Sequence, residues 1–85
     1  MKVLEEREKT HGDFERTAQV AQMLKRYMDE ARGCTDVQWE ALHMIASKLA
    51  RIICGNPHEE DHWRDIAGYA KLVAKNIKKR KKTSP

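Results

Sequence analysis

Asp61 and Asp65 stand four residues apart, a spacing that sets two carboxylates one turn apart on the same face of a helix. Hard cations such as magnesium take oxygen ligands, commonly one or two carboxylates together with substrate phosphates. The two aspartates, with Glu40, therefore form a candidate metal set. Lys48 and Arg51 share an arc of the preceding helical segment with Glu40, Met44 and Ser47, and two fixed cations are the charge-assisted donors that phosphate oxygens need. Tyr69 follows Asp65 by one turn and can lie against a base or sugar. His11 precedes Gly12 and Asp13 at a helix entrance, where exposed backbone N–H groups can hold an anion. Each feature also has an ordinary reading, because acidic residues suit the first turn of a helix without any ligand and a polar arc suits a solvated face. No catalytic residue is marked. The four histidines are too scattered for a zinc set, no GxSxG or phosphate-binding loop is present, and neither Cys34 nor Cys54 carries the pattern of a nucleophile.

Three long helices must position these side chains. Asp13 is placed to cap a first helix from Phe14 to about Arg32, whose apolar stripe joins Phe14, Ala18, Ala21 and Met28, with Gly33 as its stop. Thr35-Asp36-Val37-Gln38 has the form of a capping box opening a second helix to about Cys54, and Gly55-Asn56-Pro57 closes it. Leu42, Ile45, Ala46, Leu49, Ile52 and Ile53 make its apolar seam. The third helix starts at Glu59 or Glu60 and ends among lysines that complement its dipole. Trp63, Ile66, Ala67, Ala70, Val73 and Ile77 form a stripe of core type, whereas Asp61, Asp65, Gly68, Tyr69 and Leu72 fall on the other side. A glycine inside a helix costs about 1 kcal/mol relative to alanine, so that second side is expected to touch something. A short helical lead at about Val3 to Lys9 precedes the three. The expected fold is all-α, a helical bundle completed by homo-oligomerisation, since so short a chain encloses little core by itself.

The formal charge is +4, from 17 basic and 13 acidic residues among 85. Five of the basic residues form the run Lys78-Lys79-Arg80-Lys81-Lys82, which leaves the body near neutral. Residues 1–77 are therefore expected to form one helical domain and 78–85 a basic, disordered tail, with nucleic-acid binding through the tail the weaker alternative. Two cysteines without CxxC spacing read as reduced thiols. No apolar run approaches the ~20 residues of a membrane span, and the chain is read as cytoplasmic, without a membrane partner.

Three segments carry a resemblance. Arg7-Glu8-Lys9-Thr10-His11-Gly12-Asp13-Phe14, then Glu40 to Ile52 with Lys48-Leu49-Ala50-Arg51-Ile52 at its end, then Asp61-His62-Trp63-Arg64-Asp65-Ile66-Ala67-Gly68-Tyr69-Ala70, resemble a group of small phage and prophage proteins. The resemblance covers residues 7 to 75. More distantly the chain is similar to the all-α nucleotide pyrophosphohydrolases of the MazG and dUTPase type, helical oligomers that use magnesium to cleave nucleoside triphosphates between the α and β phosphates. That resemblance implies a cytoplasmic protein of an infected bacterial cell, with Asp61 and Asp65 toward a metal and Lys48 and Arg51 on phosphate. The Glu-Glu-x-x-Glu run that supplies most of those enzymes' ligands is absent here. Nucleotide binding, with or without hydrolysis of a nucleoside triphosphate, is the leading expectation. The alternatives are a phage counter-defence factor that sequesters a host (cyclic) nucleotide signal, and a module that binds a host protein or nucleic acid.

Overall fold

A computed structural model describes residues 13–83. The short lead over residues 3–9 and His11 lie outside the described residues. Three helices follow in order: α1 over Phe14–Met28, α2 over Asp36–Cys54 and α3 over Glu60–Thr83. The described residues contain no strand.

Local chemistry accounts for the boundaries. Asp13 caps α1 by accepting from the Glu15 N–H at 3.2 Å, and the Thr17 hydroxyl donates to the Asp13 carbonyl at 2.8 Å. The helix ends earlier than the periodicity suggests, at Met28. Beyond it the backbone tightens, with Glu30 N–H donating to Tyr27 and Ala31 N–H to Met28, and Gly33 takes the reversal at φ 76°, a conformation that costs other residues about 1–2 kcal/mol. The capping box at α2 is complete: Gln38 N–H donates to Thr35 Oγ1 at 3.2 Å and Thr35 N–H donates to Gln38 Oε1 at 3.0 Å. Between α2 and α3, Asn56 Oδ1 accepts from His58 N–H, and the indole N–H of Trp63 donates to the Pro57 carbonyl at 2.8 Å.

α2 is the spine of the molecule. It packs against α1 on one side and α3 on the other, and among the described residues α1 and α3 share no contact. The result is an open three-helix layer with two broad faces rather than a closed bundle. Its radius of gyration is 15.3 Å, against about 12 Å for a compact chain of this length. Among the described residues the buried ones are few and mostly small: Thr17 and Ala21 of α1, Ala41, Ala46, Ala50 and Ile52 of α2, and His62 of α3. Alanines at both seams let the helices approach closely. They also limit the apolar area that one chain encloses.

Several expectations change in this arrangement. Phe14 is 82% exposed and Trp63 52% exposed, so neither belongs to the core of one chain. The line of α3 that faces α2 runs instead through His62, Ile66, Tyr69, Val73 and Ile77, all buried or half-buried. The basic run does not begin a separate tail, since α3 continues through Lys78–Lys82 to Thr83. Lysine and arginine are good helix formers and complement the negative end of the dipole. No described helix is long and apolar enough to cross a membrane, and Cys34 and Cys54 are both unpaired thiols.

Candidate functional site

The α2/α3 seam brings together the two charge types that the sequence separates by a loop. Lys48, in the middle of α2, reaches Asp65, near the start of α3, with Nζ 2.8 Å from Oδ2. The lysine side chain is 14% exposed and the aspartate 46%, so the pair is rooted on α2 and opens toward solvent on α3. The hydrogen bond from Lys48 holds the Asp65 carboxyl below its ordinary value, against the opposing effect of desolvation, and the charges of Lys48, His62 and Arg51 act in the same direction as the hydrogen bond. Arg51, one turn beyond Lys48, is half-buried. His62, one turn before Asp65, is 2% exposed. Tyr69, one turn after it, is half-buried on the line facing α2. Lys48, Arg51, His62, Asp65 and Tyr69 thus make one continuous patch with a fixed ion pair at its centre.

The remaining candidates stand outside that patch. Glu40 precedes Lys48 by eight residues, about 12 Å along the helix, and is exposed. Asp61 is exposed one turn before Asp65. Among the described residues no group of three or more His, Cys, Asp or Glu side chains is placed to hold a metal ion. Asp61 and Asp65 are two carboxylates one turn apart on α3, and one oxygen of Asp65 is held by Lys48. Glu40 does not join them. Its sign and its arc on the helix suggested a ligand, but helical rise separates it from the seam.

Sequence reasoning did not assign His62 or His43. The signal for His62 lies in its spacing, since it precedes Ile66 by four and Tyr69 by seven and so stands on the buried line. His43 lies on the other side of α2, where its ring meets Trp39 at 5.0 Å between centroids and lines a groove of about 320 Å³ with Gln22, Lys25, Arg26 and Asp29 of α1. Its Nε2 is buried without a hydrogen-bond partner.

The same chain matches a family model, described as a domain of unknown function (DUF6378), over residues 1–77. The protein belongs to the DUF6378 family. That match takes in all of α1 and α2 and the part of α3 that carries Asp65 and Tyr69, so the residues of the seam lie within the matched span. No curated protein and no solved structure matches the chain.

Proposed function

We propose that this DUF6378 protein binds the phosphate groups of a nucleotide at the α2/α3 seam, as one subunit of a homo-oligomer. The observation that carries this reading is the Lys48–Asp65 pair with Arg51 beside it. The pair neutralises one cation and fixes the seam, and Arg51 remains as a half-buried guanidinium with no side-chain ion pair among the described residues. A planar, permanently charged donor held at a helix seam suits phosphate oxygens. Tyr69 supplies an aromatic surface one turn from Asp65. The resemblance to small phage proteins, and at greater distance to the MazG and dUTPase type, supports a nucleotide as the phosphate carrier.

Magnesium enters this reading as an ion accompanying the nucleotide. Asp61 and Asp65 would hold it together with phosphate oxygens, and bound there it would neutralise phosphate charge. The protein's own residues supply the rest: Arg51 orients the phosphate, Lys48 sets the position of Asp65, and His62 fills the seam behind them. Binding does not require turnover, so a factor that holds a nucleotide without cleaving it uses the same residues.

Thermal melting over a panel of nucleoside triphosphates and cyclic dinucleotides, with and without magnesium, tests the proposal, because a ligand that binds only the folded chain raises its melting temperature. Arg51→Glu leaves the Lys48–Asp65 pair in place and should abolish the ligand-induced shift. Charge reversal at Lys48 is a poorer probe, because it would set two carboxylates against each other at the seam. A panel without any shift, or an Arg51→Glu variant that keeps the full shift, would remove the seam as a nucleotide site.

A further inference from the structure

The C-terminal half of α3 carries charge of one sign. Residues 66–83 hold Lys71, Lys75 and the basic run from Lys78 to Lys82, and no acidic residue. Because α3 continues unbroken to Thr83, these side chains have fixed places around a helix. Taking 100° per residue, Lys71, Lys75, Lys78 and Lys82 fall within an arc of about 60°. All four are exposed, and none of them pairs with an acidic side chain among the described residues. From Lys71 to Lys82 they form a ridge about 16 Å long. Like charges three or four residues apart weaken a helix, so the ridge repels itself, and an anion laid along it removes that repulsion. Asp65 lies roughly 110° around the helix from the ridge, which is therefore separate from the α2/α3 seam.

Several features choose among anions. The lysines recur along a line at each turn, about 5.4 Å apart, which suits a polymer of regularly spaced charges rather than one small anion. No aromatic residue follows Tyr69 in the chain, and Tyr69 is half-buried on the line facing α2. The ridge thus offers no ring on which unpaired bases could stack, as single-strand binders do. The exposed apolar side chains beside it are Ala67, Ala70, Leu72 and Ala74, one large side chain where a helix lying on a bilayer presents several. In the last turn Lys79 and Lys81 stand on opposite flanks of the ridge. A helix about 10–12 Å across with cations on both flanks matches the phosphate walls of the B-form major groove, about 12 Å wide, whereas the major groove of duplex RNA is too narrow for it.

We infer that this ridge binds double-stranded DNA through its phosphates, without reading base sequence. Each lysine that neutralises a phosphate releases condensed counterions, so affinity falls as salt rises. Four such contacts give log K against log salt a slope of about −3.6, a loss of about 150-fold between 50 and 200 mM salt. The inference goes beyond the nucleotide reading and does not depend on it, since the ridge and Arg51 stand on different helices and can fail separately.

The test is fluorescence anisotropy of a labelled DNA duplex of about 20 base pairs with the full chain, without nucleotide or magnesium, over a salt series. Wild type should bind duplexes of unrelated sequence alike, with a slope of about −3.6 or steeper. Lys75→Gln with Lys78→Gln should flatten the slope by about 2 and weaken binding at least about tenfold at 50 mM salt, while far-UV circular dichroism stays helical. Should that variant lose helicity, Lys71→Gln with Lys82→Gln decides in its place. Arg16→Gln with Arg26→Gln is the control. It removes the same charge from exposed positions of α1, which shares no contact with α3 among the described residues, and should keep the wild-type slope. Arg51→Glu should keep it too, which separates the ridge from the seam. An equal loss in the α1 control would mean attraction to net charge alone and would overturn the inference. So would no binding at 50 mM salt, or tighter binding to duplex RNA, single-stranded DNA, poly-glutamate or phosphatidylserine vesicles than to duplex DNA.

Discussion

Gly68 separates the account of the charged face from that of an inert surface. It lies inside α3, three residues after Asp65 and four before Leu72. A Cβ built there meets nothing within 4 Å, and its backbone is not in the left-handed region. Within one chain nothing requires a glycine. Gly68→Ala should therefore stabilise the protein by about 0.8–1.0 kcal/mol through helix propensity, which for a domain of this size raises the melting temperature by roughly 4–8 °C. Thermal unfolding followed at 222 nm, without ligand, measures this. If the space above Gly68 admits a phosphate or base, the added methyl group should also weaken nucleotide binding, seen as a smaller ligand-induced shift from a higher starting temperature. A lower melting temperature for the ligand-free variant would refute the reasoning, because it would mean that this face is already covered in the free protein, contrary to its assignment as the open side.

Asp65→Asn should lower the melting temperature at neutral pH. Its folded-state pKa is depressed, so the pair contributes above the ordinary aspartate range and is lost as pH falls through the lower folded value. The difference between wild type and variant should accordingly shrink to nothing in acid, as melts across pH will show. Thr35→Ala removes one half of the capping box and should cost about 1 kcal/mol in chemical denaturation, with a smaller further loss when Gln38→Ala is added because the two bonds form as a unit. Gly33→Ala should cost on the order of 1–2 kcal/mol despite open space around it, since the strain lies in the backbone; an unchanged denaturation midpoint would contradict the positive φ. Ala50, fully buried in α2, should not accept Leu, and overpacking there should destabilise by about 1–3 kcal/mol.

Much of this fold was legible in the sequence because its helix signals are local. The Thr35 and Gln38 box, the Asp13 cap, Gly33 and the Gly55-Asn56-Pro57 stop act within a few residues, and the observed helices start where those signals place them. The end of α1 was overestimated because the stretch from Asp29 to Arg32 is polar enough to continue the periodicity, while tighter i→i−3 bonds and Gly33 end it. Periodicity also shows that a helix has an apolar side without showing which neighbour covers it. Trp63 and Phe14 were read as core for that reason. In the folded chain α2 alone has two partners, and the line of α3 turned toward it is that of His62 and Tyr69.

The candidate site was legible in part for the same reason. Lys48, Arg51, Asp61 and Asp65 were selected by charge and arc, and pairing across the seam joins Lys48 to Asp65 with Arg51 close by. Glu40 was selected by the same criterion but lies two turns away. His62 was weighed only as one of four histidines too scattered for a zinc set, although its register places it on the buried line. Whether a charged side chain meets its opposite depends on the rise along two helices at once. That relation is tertiary, and a single periodic pattern does not contain it.

The central claim, that the α2/α3 seam binds nucleotide phosphate through Arg51, is tested most directly by isothermal titration of the full chain with the nucleoside triphosphate that gives the largest thermal shift. The titration is run with and without magnesium, and on wild type and Arg51→Glu at matched ionic strength. The account predicts saturable binding to wild type and at least a tenfold loss in the variant, on the order of 1.4 kcal/mol, with helicity unchanged. Equal affinity in the two proteins, or no saturable binding to wild type, would contradict it.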